Sequence, residues 1–538
     1  MQSNGPVFLV ASSDEAYQSY FAGIAYTSSD IILGTGGAED YFAEFGEKAF
    51  YDNVIDGRFF AFLSLGSELR AYTDPMGQDV LYYCLDDNGW AVSNSFYRLA
   101  QFLGKDRKLN LYKPALDAFF IANGNGFGAQ PISNNTSISE IKVLPLGKIF
   151  KVDLHENQAR LIDAKPVLQS DESYEALITK GLIESRDRLT AIARSGANLI
   201  ADLSGGQDSR AVFGIARSSA GEDKGLRIVS NPRKEDDYRI AQSLAARYGN
   251  KIHHNSGASA STNGEAAYQL WKSGSLGVYL PVYPVNSEVP DYRKYKVNGG
   301  NALAKTFANL SAPEFVSHIE QYYADSQACE EVKKEFVNAI RDLGVEENDP
   351  DAMYLHYYNF RARFHYGRNW YASLISPVIS PLINQHLLKA FFKLPAEERK
   401  RGRFFLDILM SLDPILALHP FDSPSKGFEV EDISRSPFWP SGSKSVIGSA
   451  IQTHYKIYSR ETTLEAATNG GNFKSDFVGF MNDDLEFSAN NSSLVNAIFS
   501  GSSIKKAKKE LFKAKKFSDQ TRSASRIIVF GEIDRLTS

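Results

Sequence analysis

Apolar residues between positions 7 and 161 come in short runs broken by turn residues, a pattern of strands rather than helices. The runs 7–11, 31–34, 58–65, 69–73, 80–84, 90–93 and 142–152 read as strands, with Gly66-Ser67 and Asp87-Asn88-Gly89 as hairpin turns. Few helices are expected among them. Residues 163–173, polar and containing Pro166, read as a linker, followed by an amphipathic helix over 173–194 opened by a serine cap signal. The texture then changes. An apolar strand over 198–203 leads into a glycine loop at 204–209 and a helix over 210–219. A strand over 226–230, a helix over 236–248 and a strand from 251 to 254 continue a βαβ alternation, the mark of a parallel sheet. From about residue 312 the reading is largely helical.

The expected fold class is therefore α/β. Residues 1–165 form an N-terminal β-rich, two-layer part, and 166–538 a parallel-sheet domain with a helical extension from about 312. The length agrees, because single cores stop growing at roughly 250–300 residues and this chain has 538.

A net charge of −5 lacks the basic footprint of a nucleic-acid binder. Cys84 and Cys329 stand apart from each other and from any Cys/His cluster, which argues against a zinc site or a disulfide framework. No run of about 18 apolar residues offers a membrane span, and the first residues lack the features of a secretory signal. A cytoplasmic location is expected, and the Asn-x-Ser/Thr sequons are then chance matches.

Chemistry concentrates in Leu203-Ser204-Gly205-Gly206-Gln207-Asp208-Ser209-Arg210. Glycines remove side chains where backbone N–H groups must approach an anion, and a following helix N-terminus adds donors and a positive dipole end. The hydroxyls of Ser204 and Ser209 add hydrogen bonds. Asp208 repels phosphate, so its natural role is to hold a magnesium ion that attracts it. The loop is not a Walker A motif, which needs GxxxxGK[ST]. A plain serine-glycine turn is the bland alternative.

This stretch is similar to the SGGxDS loop of ATP pyrophosphatases, which cleave ATP between the α and β phosphates. Other segments resemble the asparagine synthetase family in the family's order. They are Asp56-Gly57-Arg58-Phe59-Phe60-Ala61-Phe62, Thr73-Asp74-Pro75-Met76-Gly77, Asp236-Asp237-Tyr238-Arg239-Ile240-Ala241, and Ser425-Lys426-Gly427-Phe428. The resemblance implies an N-terminal Ntn-amidotransferase-like sandwich and a C-terminal ATP-pyrophosphatase domain. It further implies ATP and Mg2+, a nucleotide site at Leu203, Ser204, Gly205, Gly206, Asp208, Ser209, Ser230, Gly299 and Gly300, metal on Asp208, and catalysis by Asp208 and Lys426. Lys426 as an ordinary surface lysine stays open.

Three departures shape the expectation. Gln2 stands where the family's glutaminase has its nucleophilic cysteine. Val297-Asn298-Gly299-Gly300-Asn301-Ala302-Leu303-Ala304-Lys305 stands where the family has an acidic Gly-Glu-Gly-x-Asp-Glu motif, leaving Asn301 or Lys305 to meet phosphates, or Gly299-Gly300 as a mere strand-end turn. The glutaminase-like part persists without its nucleophile, as in beta-lactam synthetases and lasso-peptide cyclases. The implied activity is AMP-forming ligation of a carboxylate to an amine without glutamine hydrolysis, in natural-product or peptide modification. Alternatives are amidation of a metabolite or glycan with free ammonia or an external amine, and a non-catalytic nucleotide binder. The expected partner is a small molecule or peptide carrying a carboxylate and an amine, with a homodimer left open.

Tyr358, His365, Tyr366 and Tyr371 read as core aromatics that could face the site, and His253-His254 as a strand start. The lysine-rich stretch 505–516 reads as a solvated helix, or as a dock for an acidic peptide, carrier or membrane surface.

Overall fold

The structure is a computed structural model that describes residues 6–119, 131–165, 168–220, 226–253, 262–300, 310–323, 325–439, 450–460, 473–514, 517 and 519–538. Gln2, His254, Asn301 and Lys305 lie outside the described residues.

The N-terminal region holds β1 (Leu9–Ala11), β2 (Tyr20–Tyr26), β3 (Asp30–Leu33), β4 (Asp56–Leu65), β5 (Glu68–Thr73), β6 (Tyr82–Asp86), β7 (Gly89–Ser93), β8 (Lys142–Val143), β9 (Lys148–Asp153) and β10 (Gln158–Asp163). They form a four-stranded sheet, β1-β7-β6-β8, and most of a seven-stranded one, β10-β9-β5-β4-β2-β3 with a later strand at its edge. Val10 and Val92 of the first sheet share a core with Phe60, Phe62, Leu69 and Val152 of the second. The outer faces are covered too. Helix α1 (Gly34–Asn53) lays Ala38, Tyr41 and Phe50 against Phe21, Ile32, Phe59 and Ala61. On the opposite side α2 (Phe96–Leu103) packs Phe96, Leu99 and Ala100 on Leu9, Ala11, Tyr82 and Ala91.

The two expected layers are therefore four: helix, sheet, sheet, helix. This explains why β4 is apolar without alternation, since Phe59, Ala61 and Leu63 face α1 while Phe60 and Phe62 face the other sheet. Sequence reading passed over β2 and β10, and read 142–152 as one strand where a turn at Pro145 separates β8 from β9. It also passed over α1, whose glycines and internal break at Gly46 (φ 83°) weaken the helical pattern. Gly37 has a packing reason. A Cβ there would sit 2.3 Å from the Tyr458 carbonyl oxygen, so its absence admits the backbone of a strand from far along the chain.

Helix α3 (Lys113–Ala118) follows α2. Helix α4 (Tyr174–Arg194) is capped as expected by Ser173, whose hydroxyl accepts from the Ala176 N–H at 3.2 Å. A parallel sheet then forms from β11 (Asn198–Asp202), β12 (Leu226–Val229), β13 (Ile252–His253), β14 (Lys294–Val297) and β15 (Val378–Ile379), in the order β13-β12-β11-β14-β15. Helices α5 (Gln207–Ala220) and α6 (Glu235–Arg247) carry the chain outward from β11 to β13, and α7 (Gly264–Ser275) precedes its return on the other side as β14. The order thus reverses between β11 and β14, where open α/β sheets characteristically place ligands beyond the strands' carboxyl ends. Leu199, Ala201, Ile228, Tyr295 and Val297 of the sheet pack with Val212 and Ile215 of α5 and with Leu182 and Leu189 of α4.

Beyond residue 312 the described residues are mainly helical, with a correction at the far end. Strand β16 (Lys456–Tyr458) pairs in parallel with β3 and completes the seven-stranded sheet. The sandwich core also continues into Tyr268 and Trp271 of α7, Phe477 and Met481 of helix Phe473–Asn491, and Phe530 of helix Arg522–Thr537. No described helix is long and apolar enough to cross a membrane.

Candidate active site

Strand β11 delivers the loop. Leu203 is buried, and its N–H donates to the Val229 carbonyl at 2.9 Å, which continues the β11–β12 register and sets Leu203 level with Ser230, the residue after β12. Helix α5 starts at Gln207, earlier than expected, so Asp208 and Ser209 belong to its first turn rather than to the loop. The loop is internally ordered. Ser204 and Ser209 hydroxyls lie 2.9 Å apart, the Ser204 N–H donates to Ser209 Oγ at 3.1 Å, and the Gly206 N–H donates to Ser204 Oγ at 3.2 Å.

Gly299, after β14, closes in from the other side of the switch point. A Cβ built there would lie 3.3 Å from Asp208 Oδ2, so the Asp208 carboxylate and Gly299 face each other across β11 and β14. Gly300 adopts φ +57°, in the left-handed region, and a side chain there would meet Ser380 and Ile383 below 3.0 Å. The residues expected to bind nucleotide thus gather beyond the carboxyl ends of the central strands of the sheet.

Lys426 reaches the same place from a distant segment. The Gln207 side-chain amide donates to its carbonyl at 2.8 Å, and its Nζ donates to Asp422 Oδ2 at 2.5 Å. Asp422 in turn leans on the loop, its Cβ only 2.4 Å from where a Gly205 side chain would start, so glycine is required there by contact. Burial pushes the Asp422 carboxyl up, but the hydrogen bond and charge of Lys426 outweigh it and hold it below the ordinary range. A cleft of about 960 Å³ opens beside this cluster, lined by Gly206, Asp208 and Lys426 among others.

Sequence reading missed two acidic neighbours. Asp237, in the first turn of α6, accepts the Gly205 N–H at 3.0 Å, so a carboxylate already rests on one backbone donor of the loop. The signal was present in the acidic first turn of α6 and in the i, i+4 spacing of Asp422 and Lys426, but only the fold brings the two segments to one loop.

The aromatic group divides. Tyr358 donates to the Pro75 carbonyl at 3.1 Å and Tyr371 to the Tyr283 carbonyl at 2.5 Å, both structural contacts of buried rings. His365 bonds Tyr279, and burial, with Arg361 and Arg368 nearby, pulls it down to about 3. Tyr366, which ends a ten-residue π-helical stretch, Tyr357–Tyr366, lies within the field of Asp208. Burial, with Tyr357 and Asp208 adding, pushes its hydroxyl up to about 12. A hydroxyl held that high is not a ready base.

Glycine-imposed contacts at Gly205 and Gly299, a helix N-terminus and a nearby lysine suit a polyphosphate. Among the described residues no group of three or more His, Cys, Asp or Glu side chains could hold a metal. Magnesium characteristically takes one or two carboxylates and fills its sphere with phosphate oxygens and water, and Asp208 is placed to supply one carboxylate. No family model matches the chain, and no curated protein matches it.

Proposed function

We propose that this chain is an ATP-dependent ligase that activates a carboxylate as its adenylate, releases pyrophosphate and joins the acyl group to an amine without hydrolysing glutamine. The observation that carries this reading is the meeting of the strand–Ser-Gly-Gly–helix loop, Asp208 and Lys426 at the switch point of a parallel sheet. A carboxylate and an amine form a salt at neutral pH, so one oxygen must first become a leaving group, and ATP supplies that activation. The residues of the chain account for charge. The α5 N-terminus and the 204–206 backbone would face the departing pyrophosphate, and Asp208 would hold magnesium. Lys426, released from Asp422, would place its cation at the reacting phosphate.

The finer fold assignment belongs to the same reading. The helix-sheet-sheet-helix layering supports an Ntn-amidotransferase-like N-terminal part without its nucleophile, and the loop supports an ATP-pyrophosphatase domain. Free ammonia or an external amine as the acceptor is compatible with the same geometry. A non-catalytic nucleotide binder is favoured by one observation: β14 is followed by Asn298-Gly299-Gly300, with no acidic residue there to share a metal. The test is ATP–pyrophosphate exchange with a panel of carboxylates. Exchange that depends on one carboxylate is the expected result. Release of ADP and inorganic phosphate instead would overturn the assignment.

A further inference from the structure

Arg58 sits on β4 of the N-terminal sheet, yet its guanidinium serves the other sheet. It is buried, its Nη1 donates to Ser380 Oγ at 2.8 Å and its Nη2 to the Tyr366 carbonyl at 2.9 Å. Ser380 follows β15 and donates its own proton to Asn298 Oδ1 at 2.9 Å, directly after β14. The same Asn298 oxygen accepts the Gly300 N–H at 3.0 Å. The polarity of this chain is forced from one end. A guanidinium only donates, so Ser380 must accept from it and has its proton left for Asn298. Asn298 must then turn its oxygen toward Ser380 and Gly300 and its NH2 the other way.

We infer that Arg58 is a positioning residue of the nucleotide site: through Ser380 it fixes the orientation of Asn298 and the path of Asn298-Gly299-Gly300 opposite Asp208, so that the N-terminal layer is a working part of that site. The inference rests on the nucleotide-binding reading above. It gives the layer a role that needs no glutaminase, and it explains a buried arginine at the junction. Arg58 also clamps the end of the 357–366 segment through the Tyr366 carbonyl, so the path after β14 and the end of that segment hang on one cation. An amide turned in this way offers N–H donors where a carboxylate would need a metal to meet phosphate.

The experiment compares wild type with Ser380→Ala, which cuts the relay and keeps Arg58, and with Ser380→Thr, which retains the hydroxyl. MgATP and magnesium pyrophosphate binding are measured by calorimetry, and amide exchange at Gly300 by hydrogen–deuterium mass spectrometry without nucleotide. Ser380→Ala should lose about tenfold in affinity, the worth of one oriented hydrogen bond. It should speed exchange at Gly300 and lower the melting temperature modestly, since a buried guanidinium N–H loses its acceptor, while Ser380→Thr should stay within about threefold of wild type in affinity. Arg58→Met should reproduce Ser380→Ala if it folds, and the serine pair decides the matter if it does not. Unchanged exchange in Ser380→Ala, or undiminished affinity in a protein whose wild type binds, overturns this inference alone. A wild type that binds neither probe overturns the nucleotide reading itself.

Discussion

The guanidinium of Arg210 lies 3.6 Å from the centroid of the Phe421 ring. It donates to the carbonyls of Leu416 at 3.1 Å, His419 at 2.7 Å and Pro420. The residue that directly follows the loop motif therefore ties down the segment carrying Asp422 and Lys426. Arg210→Met should strip these carbonyls of their donor, at about 1–3 kcal/mol for the buried one of Leu416 and less for the more exposed His419 and Pro420. The expected outcome is a lower urea midpoint, with loss of amide protection over 416–426. Arg210→Lys should recover little, because an ammonium cannot reproduce the planar fork or its stacking. An unchanged midpoint in Arg210→Met would contradict this role.

Asp237 rests on the Gly205 N–H, where a phosphate oxygen would compete with it. Removing that negative charge should therefore help a bare anion. In EDTA, Asp237→Asn should bind pyrophosphate more tightly than wild type, by roughly three- to tenfold for one close repulsion removed at a partly exposed site. Isothermal titration at low ionic strength reads this directly. Weaker metal-free binding in the variant would mean that Asp237 organises the loop rather than guarding it.

His356 is buried, bonds the Ile132 carbonyl at 2.8 Å, and is pulled down to about 3 mainly by desolvation. Its ordinary value is about 6.5. Between those values the unfolded chain binds the proton and the folded one does not, so this contribution is complete above 6.5 and is lost as pH falls toward 3. His356→Gln removes the titration. From pH 7 to 5 wild type should lose on the order of 2 kcal/mol more unfolding free energy than the variant. Parallel losses in chemical denaturation would refute the assignment.

The sequence made visible what is local. The loop, the helix after it, the Ser173 cap and the βαβ texture follow from residue types at short spacing, and the described structure contains them all. What depends on distant partners was hidden. Helix α1 was passed over because its glycines weaken the helical pattern, and one of them, Gly37, makes room for a strand more than 400 residues away, at Tyr458. The apolar run of β4 did not reveal that both its faces are covered. Lys426 could be named only by resemblance, Asp237 and Asp422 carried only a weak local signal, and Arg58 and Ser380 acquire a role only when the fold gathers them.

The same long-range packing weakens a boundary drawn at residue 165. The sandwich core includes Trp271, Phe477, Met481 and Phe530, and each such side chain is worth about 1.5–3 kcal/mol when buried. β16 also covers the edge of β3. A fragment of residues 1–165 should therefore expose a large apolar face and an open strand edge, and aggregate. A soluble, cooperatively melting fragment would show that the boundary is real.

Asp208 offers the sharpest chemical test. Its Oδ1 accepts the Ser209 N–H at 2.9 Å, a local helix-start contact, while Oδ2 faces Gly299 across the switch point. Asp208→Ala forfeits little core burial, so the melting temperature should stay close to that of wild type. If the carboxylate holds the magnesium that accompanies pyrophosphate, exchange should fall by about 10²-fold or more, as commonly follows loss of one oriented charge at such a centre. Lys426→Ala should also lose turnover at unchanged stability, because its side chain is exposed and, among the described residues, its ion pair is with Asp422. Isotope separates this path from every other use of ATP. With a substrate carboxylate labelled with oxygen-18, wild-type turnover should place one labelled oxygen in AMP, since only an acyl-adenylate passes that atom to the α phosphate. Turnover that leaves AMP unlabelled would exclude adenylation of the carboxylate even if pyrophosphate were released.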